Sequence, residues 1–234
     1  MYSLPVKVTS TYVGPDRTMS PSWFFRVFQD AALEDAENIG YGVDKTMGHG
    51  LLWVFSRVYV RFHRMPEYLE EVTFDTHPGA KKAFLFFRYG KMLDKKGETI
   101  AELSSVWALI NQETRKVEMR PPLEPVDQTD GTELAAPGKV VAKPCSFHLR
   151  KTISYTDLDL NGHMNNVRYI EILMDLHDAE FYKKYRVEEL LIQYESEIHE
   201  GEDLEVFVDD EATYVRGVVG DHVCFEANLK YALK

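Results

Sequence analysis

A cluster of polar side chains between residues 157 and 166 carries the residue types that acid–base chemistry needs. An apolar-periodic segment follows it directly, so we expect the cluster to form a turn that leads into a helix N-terminus. The free N–H groups and the positive dipole end of a first helical turn stabilise negative charge. Carboxylate, amide and imidazole groups at such a place are suited to hydrolysing an activated acyl group. The members of the cluster are Asp157, Asp159, Asn161, His163, Asn165 and Asn166.

A purely structural interpretation of the same residues stays open. Asp159 or Asn161 would then only cap the helix, and the other polar groups would belong to a hydrated turn. Taken singly, each of these residues is more often a cap than a catalyst. Their occurrence together within ten residues favours the chemical interpretation.

The spacing Asp159-x-Asn161-x-His163-x-Asn165-Asn166-Val-x-Tyr169-Ile170 resembles the signature of acyl-acyl-carrier-protein (acyl-ACP) thioesterases, whose plant and bacterial members share a double hot-dog fold. In that family a glutamate follows the motif histidine, inside a strand of the form Tyr-x-x-Glu-Cys. Here Glu197 stands at the glutamate position, 34 residues after His163. Ile198 replaces the family's cysteine, which excludes a cysteine nucleophile at that position.

The resemblance implies thioester hydrolysis with no metal or other cofactor, carried out by Asp159, Asn161, His163 and Glu197. We favour Glu197 as the base that activates water, and Asp159 stays open as a nucleophile. Asn161 would hold the carbonyl oxygen or the attacking water, and His163 would position a carboxylate or protonate the leaving thiolate. Backbone N–H groups would complete the oxyanion hole. They are expected around Met164, Asn165 and Asn166.

The elements that must position these groups occur in two copies of one plan. Each copy reads as a short strand, a long helix and a run of antiparallel strands, which predicts an α+β fold. We expect a tandem (double) hot-dog, in which each half is an antiparallel sheet wrapped around one long helix. The predicted helices span 21–39 and 165–184. The predicted strands span 6–13, 52–63, 69–77, 83–93 and 98–112, then 146–154, 189–199, 203–210, 212–219 and 222–232.

A proline- and glycine-rich segment separates the two copies. Five prolines and two glycines lie between Arg120 and Pro144, a composition typical of an extended linker that acts as a plain tether. We therefore predict an N-terminal hot-dog domain over residues 1–120, a linker over residues 121–144 and a catalytic hot-dog domain over residues 145–234.

The first copy lacks the polar set of the second. Aligned by eye, Asp16, Thr18 and Ser20 fall under the aspartate, the asparagine and the histidine of the cluster. The strand Val58–Phe62 falls under the strand that contains Glu197, and it has no carboxylate. We therefore expect one active site, in the C-terminal half, and an N-terminal half that binds the acyl chain. The predicted chain-binding residues, each of which taken singly is more typical of ordinary core packing, are Trp23, Phe24, Phe28, Trp53 and Trp107.

Composition limits the class of protein and its partners. A hydrophobic content of 44% and a charged content of 28% describe an ordinary globular protein. No apolar run approaches the ~18 residues of a membrane span, and no secretory signal is recognisable, so we expect no membrane insertion. The two cysteines have neither metal nor redox spacing, which favours a reduced, cytoplasmic protein.

The net charge of −11 argues against nucleic-acid binding and complicates docking of acyl carrier protein, which is itself acidic. Docking would need a local basic patch, and homodimer formation is left open. The candidate patches are Lys81, Lys82, Arg88 and Lys91; Lys95 and Lys96; and Lys183, Lys184 and Arg186.

Other functions remain as alternatives. An acyl-CoA thioesterase of the same fold would bind the same phosphopantetheine arm, and the sequence separates it poorly from an acyl-ACP thioesterase. A hot-dog dehydratase is disfavoured because those enzymes typically place a histidine and a carboxylate on facing helices. This chain instead resembles the pattern Asp-x-Asn-x-His with a remote glutamate. A non-catalytic acyl-binding protein has no use for Glu197 together with Asn161. Acyl chain length and saturation are not indicated.

Overall fold

A computed structural model describes residues 1–124 and 126–234 of the chain. The first half contains β1 (Tyr2–Lys7), α1 (Pro21–Asn38), α2 (Val43–Gly48), β2 (Leu51–Phe62), β3 (Glu71–Pro78), β4 (Leu85–Leu93) and β5 (Thr99–Asn111). The second half contains β6 (Ser146–Thr152), α3 (Asn166–Met174), α4 (Ala179–Lys184), β7 (Tyr185–Tyr194), β8 (Asp203–Val208), β9 (Tyr214–Val219) and β10 (His222–Leu233), with a short 3-10 turn over Tyr155–Asp157.

All ten strands form one antiparallel sheet in the order β1-β3-β4-β5-β2-β7-β10-β9-β8-β6. The second five strands repeat the first five in reverse order, so the two halves are related by a pseudo-twofold axis. The halves meet where β2 pairs with β7, in a register that runs from Arg57 opposite Gln193 to Arg61 opposite Glu189. The α+β class and the internal repeat predicted from sequence are confirmed.

The central helices α1 and α3 pack against each other and share one hydrophobic core. Buried Phe24 and Phe28 of α1 belong to the same cluster as buried Val167 and Ile170 of α3. Because apolar burial is the main favourable term in folding, a core that crosses the junction makes the two halves stabilise each other. No helix among the described residues is long and apolar enough to cross a membrane.

The second central helix is shorter than predicted. Instead of one helix over 165–184, α3 ends at Met174 and α4 begins at Ala179. The break has a local cause, because the Asp178 side chain accepts a hydrogen bond from the Phe181 N–H at 2.9 Å and so caps a new helix. The first strand also differs from prediction, since it spans residues 2–7 rather than 6–13.

Glu197 does not lie in a strand, contrary to the predicted strand over 189–199. The β7–β10 ladder ends at Tyr194, after which the N–H groups of Glu195 and Ser196 both donate to the Cys224 carbonyl, at 2.8 and 3.2 Å. This shared acceptor leaves no regular register for the following residues. Glu197 therefore lies in the connection between β7 and β8.

The connection between the halves is bound to the sheet, so the expectation of a plain tether is wrong. Ser104 Oγ donates to the Ala135 carbonyl at 2.7 Å, and Arg57 donates to the Gly138 carbonyl at 2.9 Å. Further along, the Asn228 amide both accepts from the Val141 N–H and donates to the Val141 carbonyl, at 2.7 and 3.0 Å. Contacts with both halves hold this segment in place.

Arg88, one of the predicted docking residues, is buried rather than presented to solvent. Its guanidinium lies 2.6 Å from the Asp35 carboxylate, and both residues are less than 9% exposed. Burial lowers the pKa of Arg88, and the hydrogen bond to Asp35 opposes that effect. Arg88 therefore joins α1 to β4 inside the first half, and it does not belong to a docking surface.

Replacing Arg88 by alanine should destabilise the fold strongly, because it leaves Asp35 buried and without its cation. We expect a loss of about 3–5 kcal/mol in the free energy of unfolding. Urea denaturation at pH 7 measures this loss. Lys96→Ala, at an exposed position of the same half, serves as the control and should change stability by less than about 0.5 kcal/mol. Equal effects of the two substitutions would contradict the structural role of the pair.

Candidate active site

The turn before α3 is organised by Asp159. Its Oδ1 accepts hydrogen bonds from the N–H groups of Asn161 and His163, at 2.8 and 3.3 Å, and its own N–H donates to the His163 carbonyl at 2.8 Å. Gly162 has φ +78°, the left-handed conformation that glycine adopts without strain. Asn165 then caps α3, with its Oδ1 2.9 Å from the second N–H of the helix. The Asp159 carboxylate thus stabilises the turn in which it lies.

Two of the three N–H groups expected to form the oxyanion hole are already used. The Met164 N–H donates to the Ile198 carbonyl at 2.8 Å, and the Asn165 N–H donates to the Asp157 carbonyl at 2.8 Å. These two N–H groups are therefore weaker candidates for the oxyanion hole than the sequence suggested. The Asn166 N–H, at the first position of α3, has no acceptor among the described residues and stays a candidate donor.

Glu197 reaches the same place from the other side. Its Oε1 lies 3.5 Å from His163 Nδ1, and the two side chains are 33% and 18% exposed. The His199 ring lies almost perpendicular to the His163 ring, with 4.9 Å between their centroids. The structure therefore brings His163 and Glu197 together from segments that are far apart in sequence.

Two further residues belong to this neighbourhood and were not predicted from the sequence, Arg115 and His199. Arg115 belongs to the turn after β5 in the first half, and its guanidinium forms an ion pair with Glu197. Nothing in the sequence relates these two residues, which are separated by 82 positions. His199 follows Glu197 by two residues, and this Glu-x-His spacing was a usable signal.

The other two predicted catalytic residues take different positions. Asn161 is exposed, and its side-chain amide makes no hydrogen bond to the part of the chain that the structure describes. The Asp159 carboxylate is not part of the group formed by His163, Glu197 and His199, whose ligand atoms lie within 4.8 Å of one another. The geometry thus associates Glu197, rather than Asp159, with the imidazole of His163.

Asp157 fixes the start of the turn through contacts of its buried carboxylate. Its buried carboxylate accepts the Ser154 N–H at 3.0 Å and pairs with Lys151 at 2.9 Å. Burial by itself raises the pKa of Asp157, but the hydrogen bonds to Ser154 and Lys151, with the nearby charge of Arg168, hold this pKa below its ordinary value. Asp157 is therefore a structural anion beneath the site.

A row of aromatic rings leads from the first half of the sheet to the start of α3. Successive ring centroids along the row are 6.3, 3.7, 6.2 and 5.3 Å apart. The rings belong to Trp53, Trp107, Phe55, Tyr194 and Tyr169. The Tyr194 hydroxyl donates to the Asn166 carbonyl at 3.3 Å. Trp53 and Trp107, two of the predicted chain-binding residues, therefore belong to a continuous row of rings that ends at the first turn of α3.

The remaining predicted chain-binding residues are not members of the row. Phe24 and Phe28 are at most 1% exposed and both pack on Phe74 in the first half. Phe28 also lies against Phe55 and Trp107 of the row, with ring centroids 5.8 and 6.4 Å apart. Trp23 stacks on Tyr12 with 4.4 Å between the ring centroids. Two surface cavities, of about 540 and about 360 Å³, are lined by residues other than these aromatics.

Matching backbone hydrogen bonds reveal which residues of the two halves correspond. Met19 N–H donates to the Pro66 carbonyl at 2.8 Å, just as Met164 N–H donates to that of Ile198. The Gly14 N–H donates to the Thr18 carbonyl in the same way as Asp159 to His163. Each half therefore repeats the hydrogen bond that ties its helix-leading turn to the connection after its junction strand.

This correspondence corrects the alignment made by eye, which is shifted by two residues. The counterpart of His163 is Thr18 rather than Ser20, and Ser20 corresponds to the capping Asn165. The counterpart of Glu197 is buried Met65, one residue before Pro66, and it does not lie in Val58–Phe62. The first half still lacks both the imidazole and the carboxylate.

Family models match most of the chain. The acyl-ACP thioesterase N-terminal domain matches residues 2–122, and the acyl-ACP thioesterase C-terminal domain matches residues 143–228. The chain therefore belongs to the acyl-ACP thioesterase family.

Curated relatives agree with this assignment. A palmitoyl-acyl carrier protein thioesterase of Cuphea hookeriana, described as chloroplastic, is 28% identical over 210 residues, which cover 81% of this chain and 50% of the relative. A protein of the same description from Gossypium hirsutum is 25% identical over 214 residues, covering 84% and 52%. The chain spans about half the length of these relatives.

Solved structures share the fold. An acyl-ACP thioesterase from Bacteroides thetaiotaomicron superposes with a TM-score of 0.89 at 22% identity, covering 98% of this chain and 97% of the other. The 12:0-ACP thioesterase from Umbellularia californica superposes with a TM-score of 0.80 at 22% identity, covering 100% and 97%. The likeness confirms the tandem hot-dog architecture.

Replacing Asp157 by asparagine should destabilise the protein in a pH-dependent way. Because the folded state lowers the pKa of Asp157, its carboxylate stabilises the fold above the unfolded pKa of about 3.9, and this stabilisation disappears as pH falls through the lower folded value. We expect the variant to lose about 1–3 kcal/mol at pH 7 and the two proteins to converge at acidic pH.

Urea denaturation at pH 7, 5 and 3 measures the difference. Asp221→Asn, at the exposed β9–β10 turn, is the matched control and should leave stability unchanged across this range. A deficit of Asp157→Asn that stayed constant from pH 7 to pH 3 would contradict the role of the charged carboxylate.

Proposed function

We propose that this protein hydrolyses the thioester of fatty acyl-[acyl carrier protein] and releases free fatty acid, which ends chain elongation. Family membership supports the proposal, as does the description of the relatives as acyl-ACP thioesterases. The observation that carries it is the approach of Glu197 to within 3.5 Å of His163 beside the start of α3. The whole chain would then act as a thioester hydrolase with one site.

In the proposed mechanism Glu197 removes a proton from water as the water oxygen bonds to the acyl carbon. Arg115 positions the Glu197 carboxylate through their ion pair. As the carbon–sulfur bond breaks, His163 supplies a proton to the leaving thiolate. Asp159 is the weaker candidate for base or nucleophile because its Oδ1 accepts two backbone hydrogen bonds in its own turn.

Negative charge on the carbonyl oxygen needs donors that are not already bonded. The exposed Asn161 amide and the Asn166 N–H meet this condition within the described part of the chain. The position of Asn166 at a helix N-terminus adds the favourable end of the helix dipole. Loss of one such donor typically costs about 2.7–4 kcal/mol in barrier height.

The acyl chain would follow the aromatic row towards the first half. Phe55, Trp107 and Trp53 are half-buried, and they continue from Tyr194 at the site into the N-terminal sheet. This path gives the predicted N-terminal domain (1–120) a chain-binding role and the C-terminal domain (145–234) the chemistry. Phe24 and Phe28 would support the path from the core.

The proposed carrier is an acidic acyl carrier protein, with acyl-CoA as the alternative. Removing Arg88 from the docking candidates leaves the lysines of the first half, the α4 lysines and Arg186. The α4 residues include Lys183, which pairs with Glu180, and the neighbouring Lys184. A cytoplasmic location and a homodimer stay predictions.

Replacing Glu197 by glutamine should abolish proton abstraction while keeping the size of the side chain. We expect kcat to fall about 10²–10⁴-fold with the fold intact. Assays on acyl-ACP, with circular dichroism and urea denaturation of each variant, measure both properties. Glu195→Gln, two residues earlier and exposed, is the control and should retain activity.

His163→Gln should produce a loss of similar order, and the double variant should be little worse than either single one, because the two groups act together. Normal turnover by both single variants would show that the site lies elsewhere. Asp159→Asn supplies the comparison that separates the two carboxylates, since a larger loss there than in Glu197→Gln would make Asp159 the reacting group.

The same acyl group presented on the two carriers should be hydrolysed with different efficiency. We expect kcat/KM to be at least about 10-fold higher for acyl-ACP at low salt, because charge complementarity accelerates encounter, and the advantage to shrink at high salt. A panel of acyl chains of graded length on each carrier measures this and the length preference. Equal efficiency on both carriers, independent of salt, would favour the acyl-CoA alternative.

A further inference from the structure

Two histidines and a glutamate converge at the site in an arrangement that the hydrolytic reaction does not require. One ligand atom from each of His163, Glu197 and His199 lies within 4.8 Å of the other two. His199 has no role in the proposed hydrolysis. Two imidazoles and one carboxylate are a ligand set that Zn²⁺ uses in proteins.

The backbone holds the two histidines side by side. His163 and His199 form an isolated antiparallel bridge, next to the 2.8 Å hydrogen bond from the Met164 N–H to the Ile198 carbonyl. On the His199 side, the N–H donates to Glu202 Oε2 at 2.6 Å. This bridge and hydrogen bond fix the two backbone segments. Rotation of the side chains is therefore the movement that would bring the three ligand atoms around one cation.

One pair of the three ligand atoms already has the separation that a small cation needs. A tetrahedral zinc ion with ligand bonds of about 2.1 Å places its ligand atoms about 3.4 Å apart. His163 Nδ1 and Glu197 Oε1 are already 3.5 Å apart. Glu202 Oε2 lies 3.4 Å from His199 Nδ1, and a carboxylate beside a ring nitrogen is the usual outer partner of a metal-binding histidine.

We propose that His163, Glu197 and His199 form a zinc site that inhibits the enzyme reversibly. The metal would be coordinated by the His163 imidazole and the Glu197 carboxylate, which the proposed hydrolysis uses. The metal-bound enzyme would therefore be inactive. The inhibition rests on the proposed function, whereas the binding rests on the geometry alone. Solvent reaches all three ligands, since their side chains are 18%, 33% and 57% exposed.

Arg115 would compete with the metal for Glu197. The Arg115–Glu197 pair is about one-third exposed on both sides, and ion pairs of this exposure contribute little to stability. The Arg115 side chain can therefore leave for solvent when a divalent cation arrives. It follows that removal of this arginine should strengthen metal binding.

The first half provides an internal comparison. The residues that correspond to the three ligands are Thr18, Met65 and Glu67. This set offers no imidazole and only one carboxylate. The repeat should therefore bind zinc once per chain, in the second half.

Isothermal titration calorimetry with Zn²⁺ on the metal-free 234-residue chain tests the site without any substrate. We expect one Zn²⁺ per chain, and no comparable binding of Mg²⁺, which prefers oxygen ligands. His199→Gln should weaken Zn²⁺ binding at least about 10-fold, as loss of a ligand or its support does, and Arg115→Ala should strengthen it.

The control is His63→Gln, because His63 lies 3.3 Å from the Glu102 carboxylate and forms a histidine–carboxylate pair outside the proposed site. It should leave zinc binding unchanged. Absence of stoichiometric binding, or equal affinity of His199→Gln and the unsubstituted protein, would overturn the proposed site whether or not the chain hydrolyses thioesters.

Activity assays test the inhibition separately. Measured against its own metal-free rate of acyl-ACP hydrolysis, His199→Gln should need at least about 10-fold more Zn²⁺ for half-inhibition than the unsubstituted protein, in line with its weaker binding. Loss of activity on chelation, restored by Zn²⁺, would refute an inhibitory role. An inactive protein that still binds zinc through His199 would refute the proposed function and keep the site.

Discussion

One backbone hydrogen bond determines where the site forms. The Met164 N–H donates to the Ile198 carbonyl and thereby ties the turn before α3 to the connection after β7. His163 precedes Met164 and Glu197 precedes Ile198 in the sequence. The bond between Met164 and Ile198 therefore holds the two backbone segments together where His163 and Glu197 approach each other. The first half makes the same bond between Met19 and Pro66, so the linkage belongs to the repeated fold and does not depend on the side chains of the site. The same backbone arrangement thus carries a histidine and a glutamate in the second half, and Thr18 and Met65 in the first.

The two halves depend on each other through the β2–β7 junction and the shared core of α1 and α3. Arg115 shows the functional consequence, because a residue of the first half pairs with Glu197 of the second. The aromatic row through Phe55 and Tyr194 crosses the same junction. The proposed site therefore draws residues from both halves, although only the second half has the histidine and the glutamate.

Buried and half-buried charges in this protein serve structure as often as chemistry. Asp157 and Asp159 lie in the polar cluster of residues 157–166, yet both carboxylates accept backbone hydrogen bonds that shape the turn. Arg88 has the positive charge expected of a docking residue, but it is paired with Asp35 inside the first half. The role of each ionisable group follows from its hydrogen-bond partners, which residue type alone does not reveal.

The sequence by itself determined the twofold repeat, the class of fold and the segment that leads into α3. These features follow from local spacing, because apolar periodicity and turn residues act over a few neighbouring positions. The tertiary structure alone decided that the Met164 N–H is already bonded, that Thr18 is the counterpart of His163, and that Arg115 and His199 belong to the neighbourhood of Glu197. Such contacts join residues far apart in sequence, and their geometry depends on strand register and on where a ladder ends, which no local pattern encodes.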